Sequence, residues 1–90
     1  MAVTVKIPTQ LRAVTAGEAE TAVDGATVRE VLDGLFDRYD ELRDRICEDG
    51  NLRRFVNVFL ADEDVRFLDG LATPVTDGQT ISIVPAVAGG

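Results

Sequence analysis

The sequence contains no histidine and a single cysteine, Cys47. Without histidine there is no imidazole for acid–base catalysis and no Ser-His triad. One cysteine excludes an intrachain disulfide and any Cys/His zinc site. Basic residues are outnumbered: the formal net charge is −7, which argues against nucleic acid as a partner, because phosphate binding requires a basic footprint. No apolar run approaches bilayer-spanning length, so no membrane contact is expected. The opening Met1-Ala2-Val3-Thr4-Val5-Lys6 lacks the apolar region of a signal peptide, and the expected compartment is the cytoplasm.

What is present describes one small domain. Ninety residues, 46% of them apolar, lie near the lower size limit for folding without staples. Charge is mixed through the chain, which favours a packed core over disorder. Net acidity keeps such a protein soluble, and a monomer is expected.

Val3 to Ile7 alternates apolar and polar, with Val3, Val5 and Ile7 on one face, and reads as a half-buried strand ended by Pro8. Glu20-Thr21-Ala22-Val23, before the turn at Asp24-Gly25, reads as a second strand. Thr27-Val28-Arg29-Glu30 forms a capping box in which hydroxyl and carboxylate satisfy each other's free amides. Behind it Val28, Val31, Leu32, Leu35, Phe36 and Tyr39 fall on one helical stripe, opposite Arg29, Glu30, Asp33, Asp37, Arg38 and Asp40. Leu42 and Ile46 either extend this helix or form a short second turn ending by Gly50. Phe55 to Leu60 predicts a third strand, with Val56, Val58 and Leu60 on one face and Phe55, Asn57 and Phe59 on the other. Asp62-Glu63-Asp64 predicts a turn into a short strand, Val65-Arg66-Phe67. After the turn at Asp77-Gly78, the last strand puts Ile81 and Ile83 on one face and Ser82 and Val84 on the other.

One amphipathic helix covers one face of a sheet, so this order implies a two-layer α+β domain. A β-grasp arrangement meets it, with the first and last strands parallel neighbours at the centre of a mixed sheet. The other face is then left uncovered. Phe59 and Val84, with Phe55 beside them, form a candidate partner-docking patch there; Phe59 reads as a partner contact rather than a core residue.

The chain closes with Pro85-Ala86-Val87-Ala88-Gly89-Gly90. Two terminal glycines are a costly way to end a strand, since glycine loses the most backbone entropy and packs nothing. They suit a thin strip of backbone that threads into another protein. The expected organisation is a β-grasp domain over 1–85 and a flexible tail over 86–90, with Val87, Ala88, Gly89 and Gly90 as the threading residues.

The stretch Asp77-Gly78-Gln79-Thr80-Ile81-Ser82-Ile83-Val84-Pro85-Ala86-Val87-Ala88-Gly89-Gly90 resembles the ending of the MoaD/ThiS family of ubiquitin-like sulfur carriers. Arg54-Phe55-Val56-Asn57-Val58-Phe59-Leu60-Ala61-Asp62-Glu63-Asp64-Val65-Arg66, Gly70-Leu71-Ala72-Thr73 and the opening Val3-Thr4-Val5-Lys6-Ile7-Pro8-Thr9 are similar to its CysO branch, the carriers for cysteine biosynthesis. The resemblance covers the whole chain and departs at Ala61, where an asparagine is usual. It implies a protein co-substrate with no catalytic residues, no bound cofactor and no metal. A ThiF/MoeB-type adenylyltransferase-sulfurtransferase using ATP and magnesium would adenylate the Gly90 carboxylate. A sulfur donor would displace AMP to leave a thiocarboxylate. In the cysteine branch the acceptor would be an activated serine on a PLP-dependent cysteine synthase, and a metalloprotease would release the new cysteine. Molybdopterin and other thio-metabolite carriers share this terminus, and a protein modifier forming an isopeptide through Gly90 is the alternative from another class.

Other features read as structural. Cys47, beside Glu48 and Asp49, reads as a small buried hydrophobe. Asp62-Glu63-Asp64 lacks the spaced ligands of a calcium loop and reads as a solvated turn. Arg53-Arg54 reads as surface charge ahead of a strand.

Overall fold

The computed structural model describes residues 2–53 and 56–85. Five strands form one mixed sheet: β1 (Ala2–Lys6), β2 (Glu20–Asp24), β5 (Val56–Leu60), β6 (Glu63–Asp64) and β7 (Thr80–Pro85), in the order β2-β1-β7-β5-β6. β1 and β7 run parallel at the centre, with Thr4 opposite Thr80, Val5 opposite Ile81 and Lys6 opposite Ser82; the remaining pairs are antiparallel. This is the expected β-grasp topology. A parallel pair cannot be closed by a tight turn, so the chain between β1 and β7 must cross over, and it carries the helices as it does so.

Helix α1 (Val28–Arg38) buries Val28, Val31, Leu32, Leu35 and Phe36 against the sheet, while its charged stripe faces solvent. The core it meets is the apolar face of the strands: Val3, Val5, Val56, Val58, Ile81 and Ile83. At the start of α1 the Thr27 hydroxyl accepts from the Glu30 amide at 3.2 Å. The returning carboxylate departs from the expected capping box, because Glu30 Oε1 accepts from the Ala26 amide at 3.2 Å, one residue upstream of the cap. One more orphan donor is still satisfied, which is what the box achieves energetically.

A second helix, α2 (Asp40–Ile46), is separate from α1: Tyr39 caps both, and its extended φ of −131° breaks the helical run. Leu42 and Ile46 are fully buried. A small hairpin follows, β3 (Cys47–Glu48) with β4 (Asn51–Leu52), turning at Asp49-Gly50. Both of those residues have positive φ, 54° and 82°.

The expected strand Val65-Arg66-Phe67 is a 3₁₀ turn instead. The cause is local: Asp64 Oδ1 accepts from the Arg66 amide at 2.9 Å, an Asx-type turn that diverts the backbone from β geometry. On the side away from β7, β5 is thus paired with Glu63–Asp64 alone among the described residues. Phe55, expected to begin β5, lies outside the described residues, as do residues 86–90, the expected tail.

Two backbone positions generate stability predictions. Gly34 sits inside α1, where glycine costs about 1 kcal/mol relative to alanine. A Cβ there would lie 2.7 Å from Val23 Cγ1 on β2, so glycine lets the helix approach the sheet. Overpacking of this kind costs about 1–3 kcal/mol, and Gly34→Ala is therefore expected to lower the thermal midpoint despite its better helix propensity. Ala61, in the β5–β6 turn, holds φ at 57°, a left-handed conformation that asparagine tolerates better than alanine. Ala61→Asn is expected to raise stability by roughly 0.5–1 kcal/mol in chemical denaturation.

Candidate functional site

The face of the sheet opposite the helices is exposed. Strand alternation sends Thr4 and Lys6 of β1, Ser82 and Val84 of β7, Asn57 and Phe59 of β5, and Asp64 of β6 to it. The pairing register arranges them in rows across the strands. Asp64, Phe59, Ser82, Lys6 and Glu20 form one row, and Asn57 with Val84 forms the next, toward the end of β7. The row is charged at its ends and small or apolar in its middle. Val84 is 41% exposed and Phe59 is half-buried, so these two share the uncovered face as expected. The third member of that expected patch, Phe55, cannot be placed with them, because it lies outside the described residues.

Arg66 fixes the end of this face from which β7 leaves. Its guanidinium donates to Asn57 Oδ1 and to the backbone carbonyls of Arg53 and Val56, each at 2.8 Å. A planar fork of donors suits several fixed acceptors at once. Val56 is the β5 residue paired with Pro85, so the arginine ties the first residue of β5 to the turn after β6 where the two strands end. Arg53 is itself held, by a 2.7 Å bond from Nε to the Asp44 carbonyl and an exposed ion pair with Glu48 at 3.8 Å. It therefore holds the hairpin in place as well as contributing surface charge.

A cleft of about 390 Å³ flanks the same exit. One wall is the turn after β1, including Pro8, Thr9, Gln10 and Arg12; the other is Ser82, Val84 and Pro85, with Lys6 at the base. Arg12 donates from Nε to the Ile7 carbonyl at 3.1 Å, which braces the turn. Lys6 and Arg12 are the charged residues that line it.

Phe67 is the residue that sequence reasoning missed. Placed in a strand by its apolar neighbours, it is instead thrown outward by the 3₁₀ turn and is 86% exposed. It shares a surface recess with Phe59, Asp62, Glu63 and Asp64. The signal that could have found it is Asp64, an Asx-turn former two residues before Arg66.

On the helix side a separate cavity of about 310 Å³ lies between α1, α2 and the β3–β4 hairpin. Cys47 lines it, half-buried and packed against the core. Burial pushes the thiol above its ordinary value; Arg29 pulls it down, Asp33 raises it, and Arg43 and Arg53 pull it down, with burial prevailing. A thiol held protonated is a poor nucleophile, in line with the structural reading of this residue. Among the described residues no group of His, Cys, Asp or Glu is placed to hold a metal ion, and no helix is long and apolar enough to cross a membrane.

Adjacent residues on β7 provide a direct test of the two faces. Ile83 is 2% exposed, whereas Val84 is 41% exposed. Ile83→Asp would bury an unpaired charge and is expected to cost several kcal/mol. Val84→Asp is expected to cost about 1 kcal/mol or less in the same urea titration, through β propensity alone.

Three comparisons with known proteins agree with this geometry. The ThiS family model matches residues 5–90. The chain is 45% identical over 93 residues to the sulfur carrier protein CysO of Mycobacterium tuberculosis, covering all of both chains. It is 46% identical over 67 residues to small archaeal modifier protein 3 of Haloferax volcanii, covering 74% of this chain and 73% of the relative. Among solved structures, the crystal structure of the Amycolatopsis orientalis BexX/CysO complex superposes with a TM-score of 0.94 at 49% identity, covering 99% of this chain and 100% of the matched one.

Proposed function

The chain belongs to the ThiS family, and on that premise we propose that it is a sulfur carrier whose Gly90 carboxylate is activated and converted to a thiocarboxylate. The observation that carries this reading is the full-length match to the carrier CysO, joined to a fold whose central strand β7 ends at Pro85. A free α-carboxylate, with a pKa of about 3.3–3.7, is ionised near neutral pH and resists nucleophiles. An adenylating partner using ATP and magnesium would make it an acyl-adenylate, and a sulfur donor would displace AMP. The protein contributes no catalytic side chain to these steps. It is the co-substrate, and its partners perform the chemistry.

Each part of the chain then has a physical role. Val87, Ala88, Gly89 and Gly90 thread into partner active sites, where missing side chains allow close approach of backbone donors. Phe59 and Val84, with Phe55, dock the adenylyltransferase-sulfurtransferase of ThiF/MoeB type. Sulfur passes to a PLP-dependent cysteine synthase, and a metalloprotease releases the cysteine. Such a carrier works in the cytoplasm, where its partners are soluble enzymes, as a monomer with an uncovered sheet face. A solved complex containing a CysO homologue, 49% identical to this chain, supports the capacity of this fold to engage a partner protein.

The second reading is a protein modifier, joined through Gly90 to target lysines. The 46% identity to a small archaeal modifier protein favours keeping it. Intact-mass measurement after incubation with the adenylating partner, ATP and sulfide separates the two. A gain equal to replacing oxygen by sulfur is expected, and deletion of Gly90 should abolish it while leaving the thermal midpoint unchanged. Covalent adducts on lysate proteins without that mass gain would favour the modifier, and sulfur acquisition by the Gly90 deletion would sink the site assignment.

A further inference from the structure

The cavity on the helix side takes no part in the function proposed above. It encloses about 310 Å³ between α1, α2 and the β3–β4 hairpin, at the lower end of the size range of small-molecule sites. Its lining is apolar where α1 faces it: Leu32 and Phe36 contribute there, joined by Leu71 from the 3₁₀ turn Gly70–Ala72 and by the half-buried Cys47. Three arginines from three separate stretches of chain line it as well, Arg29, Arg43 and Arg53.

Each arginine is held in place with donors to spare. Arg29 reaches from α1 to the hairpin turn, where its Nη2 donates to the Gly50 carbonyl at 3.4 Å. Arg53 is anchored by Nε on the Asp44 carbonyl at 2.7 Å, and its Nη1 lies 3.8 Å from Glu48. The Arg43 guanidinium carbon lies 5.7 Å over the centroid of the Phe36 ring, with Nη1 3.6 Å from Asp40. A guanidinium carries five N–H donors, so these bonds use a minority of them. Carboxylates share the rim. At the Cys47 sulfur, however, the side-chain charges that act are Arg29, Arg43 and Arg53 against Asp33 alone among the described residues. The inner wall is therefore a cationic spot in a chain of net charge −7.

We infer that this cavity is a binding site for a small aromatic carboxylate. The ring lies against Leu32, Phe36 and Leu71 and extends the stack that Arg43 makes on Phe36, since a planar guanidinium accepts aromatic faces. The carboxylate lies beside Cys47, between Arg29 and Arg53, where forked donors match its two oxygens. A bare phosphate would use the arginines and leave the apolar wall uncovered, and a neutral hydrocarbon would do the reverse. The site belongs to the helical layer, on the opposite side of the sheet from Phe59 and Val84, so ligand and docked partner do not compete for surface. Nothing in it depends on Gly90 or its activation.

Naphthoate is the probe, and naphthamide, of the same shape without the charge, is its control. Titrating naphthoate into the full-length chain should give saturable amide NMR shifts at Leu32, Cys47 and Gly50, with Phe59 and Val84 unmoved. Naphthamide should bind roughly tenfold more weakly or worse, as expected for loss of charge-assisted bonds. Cys47 is the single cysteine, so its alkylation by iodoacetamide at mildly alkaline pH, followed by intact mass, reports occupancy directly. Saturating naphthoate should slow that reaction by roughly fivefold or more. Arg29 and Arg43 are exposed, so Arg29→Gln and Arg43→Gln should keep the thermal midpoint while each weakens naphthoate at least threefold. Absence of saturable shifts at millimolar naphthoate, shifts centred on the sheet face, or equal binding of naphthamide would overturn the inference. So would unprotected Cys47, or undiminished binding in both variants.

Discussion

Parallel pairing of β1 with β7 is the constraint on which the remaining structure depends. The two strands lie at the centre of the sheet, and their hydrogen-bonded register can form only after the whole intervening chain has crossed over. That connection supplies both edge strands, the covering helices and the short turns. β7 also pairs with β5 along five residues, from Val56 opposite Pro85 to Leu60 opposite Ile81. β7 is thus bonded on both sides at Ile81 and Ser82 and by β5 alone from Ile83 to Pro85, with Ile81 and Ile83 buried beneath it.

The sheet's two faces differ sharply in what they carry. The helical face buries aliphatic residues from both helices and from β1, β2, β5 and β7, and close approach there is bought with Gly34, which concedes helix propensity for contact with Val23. Among the described residues the other face carries few apolar groups, and those are set among small and charged neighbours. Arg66 ties the uncovered face to the sheet's edge. Its fork of hydrogen bonds fixes the first residue of β5, and thereby the backbone opposite Pro85. In the co-substrate role proposed above, presentation of the C-terminal segment is the main task left to the fold.

Helix α1 and the strands β1, β5 and β7 were legible because each has enough residues for its periodicity to show. Thr27 and the stripe from Val28 to Phe36 announce a helix, and Val56-Asn57-Val58-Phe59-Leu60 announces a half-buried strand. Shorter elements were not legible. Two residues, as in β3, β4 or β6, have no period to read, and the hairpin at Cys47–Leu52 forms because α2 and the core hold its ends. Val65-Arg66-Phe67 has β-prone composition, yet a side-chain bond from Asp64 turns it and exposes Phe67. There a local hydrogen bond outweighs propensity.

The sequence by itself determined the fold class, the family and the candidate reacting residue. The fold class resides in local order, in periodicity and a capping threonine; the family and the candidate residue came from the resemblance of the closing stretch Asp77 to Gly90 and of the segments before it. The sequence also assigned Phe59 and Val84 to the uncovered face, since alternation within a strand is a local property. Only the tertiary structure decided what stands beside what. The β1–β7 register sets Lys6 next to Ser82 and in the cleft of Pro85, a pairing of positions 6 and 82 that no local pattern encodes. Arg66 reaches Val56 and Arg53 in the same way, and Gly34 finds its reason in Val23, one strand away. Composition and spacing describe a residue's neighbours in sequence, whereas register, crossover and packing choose its neighbours in space.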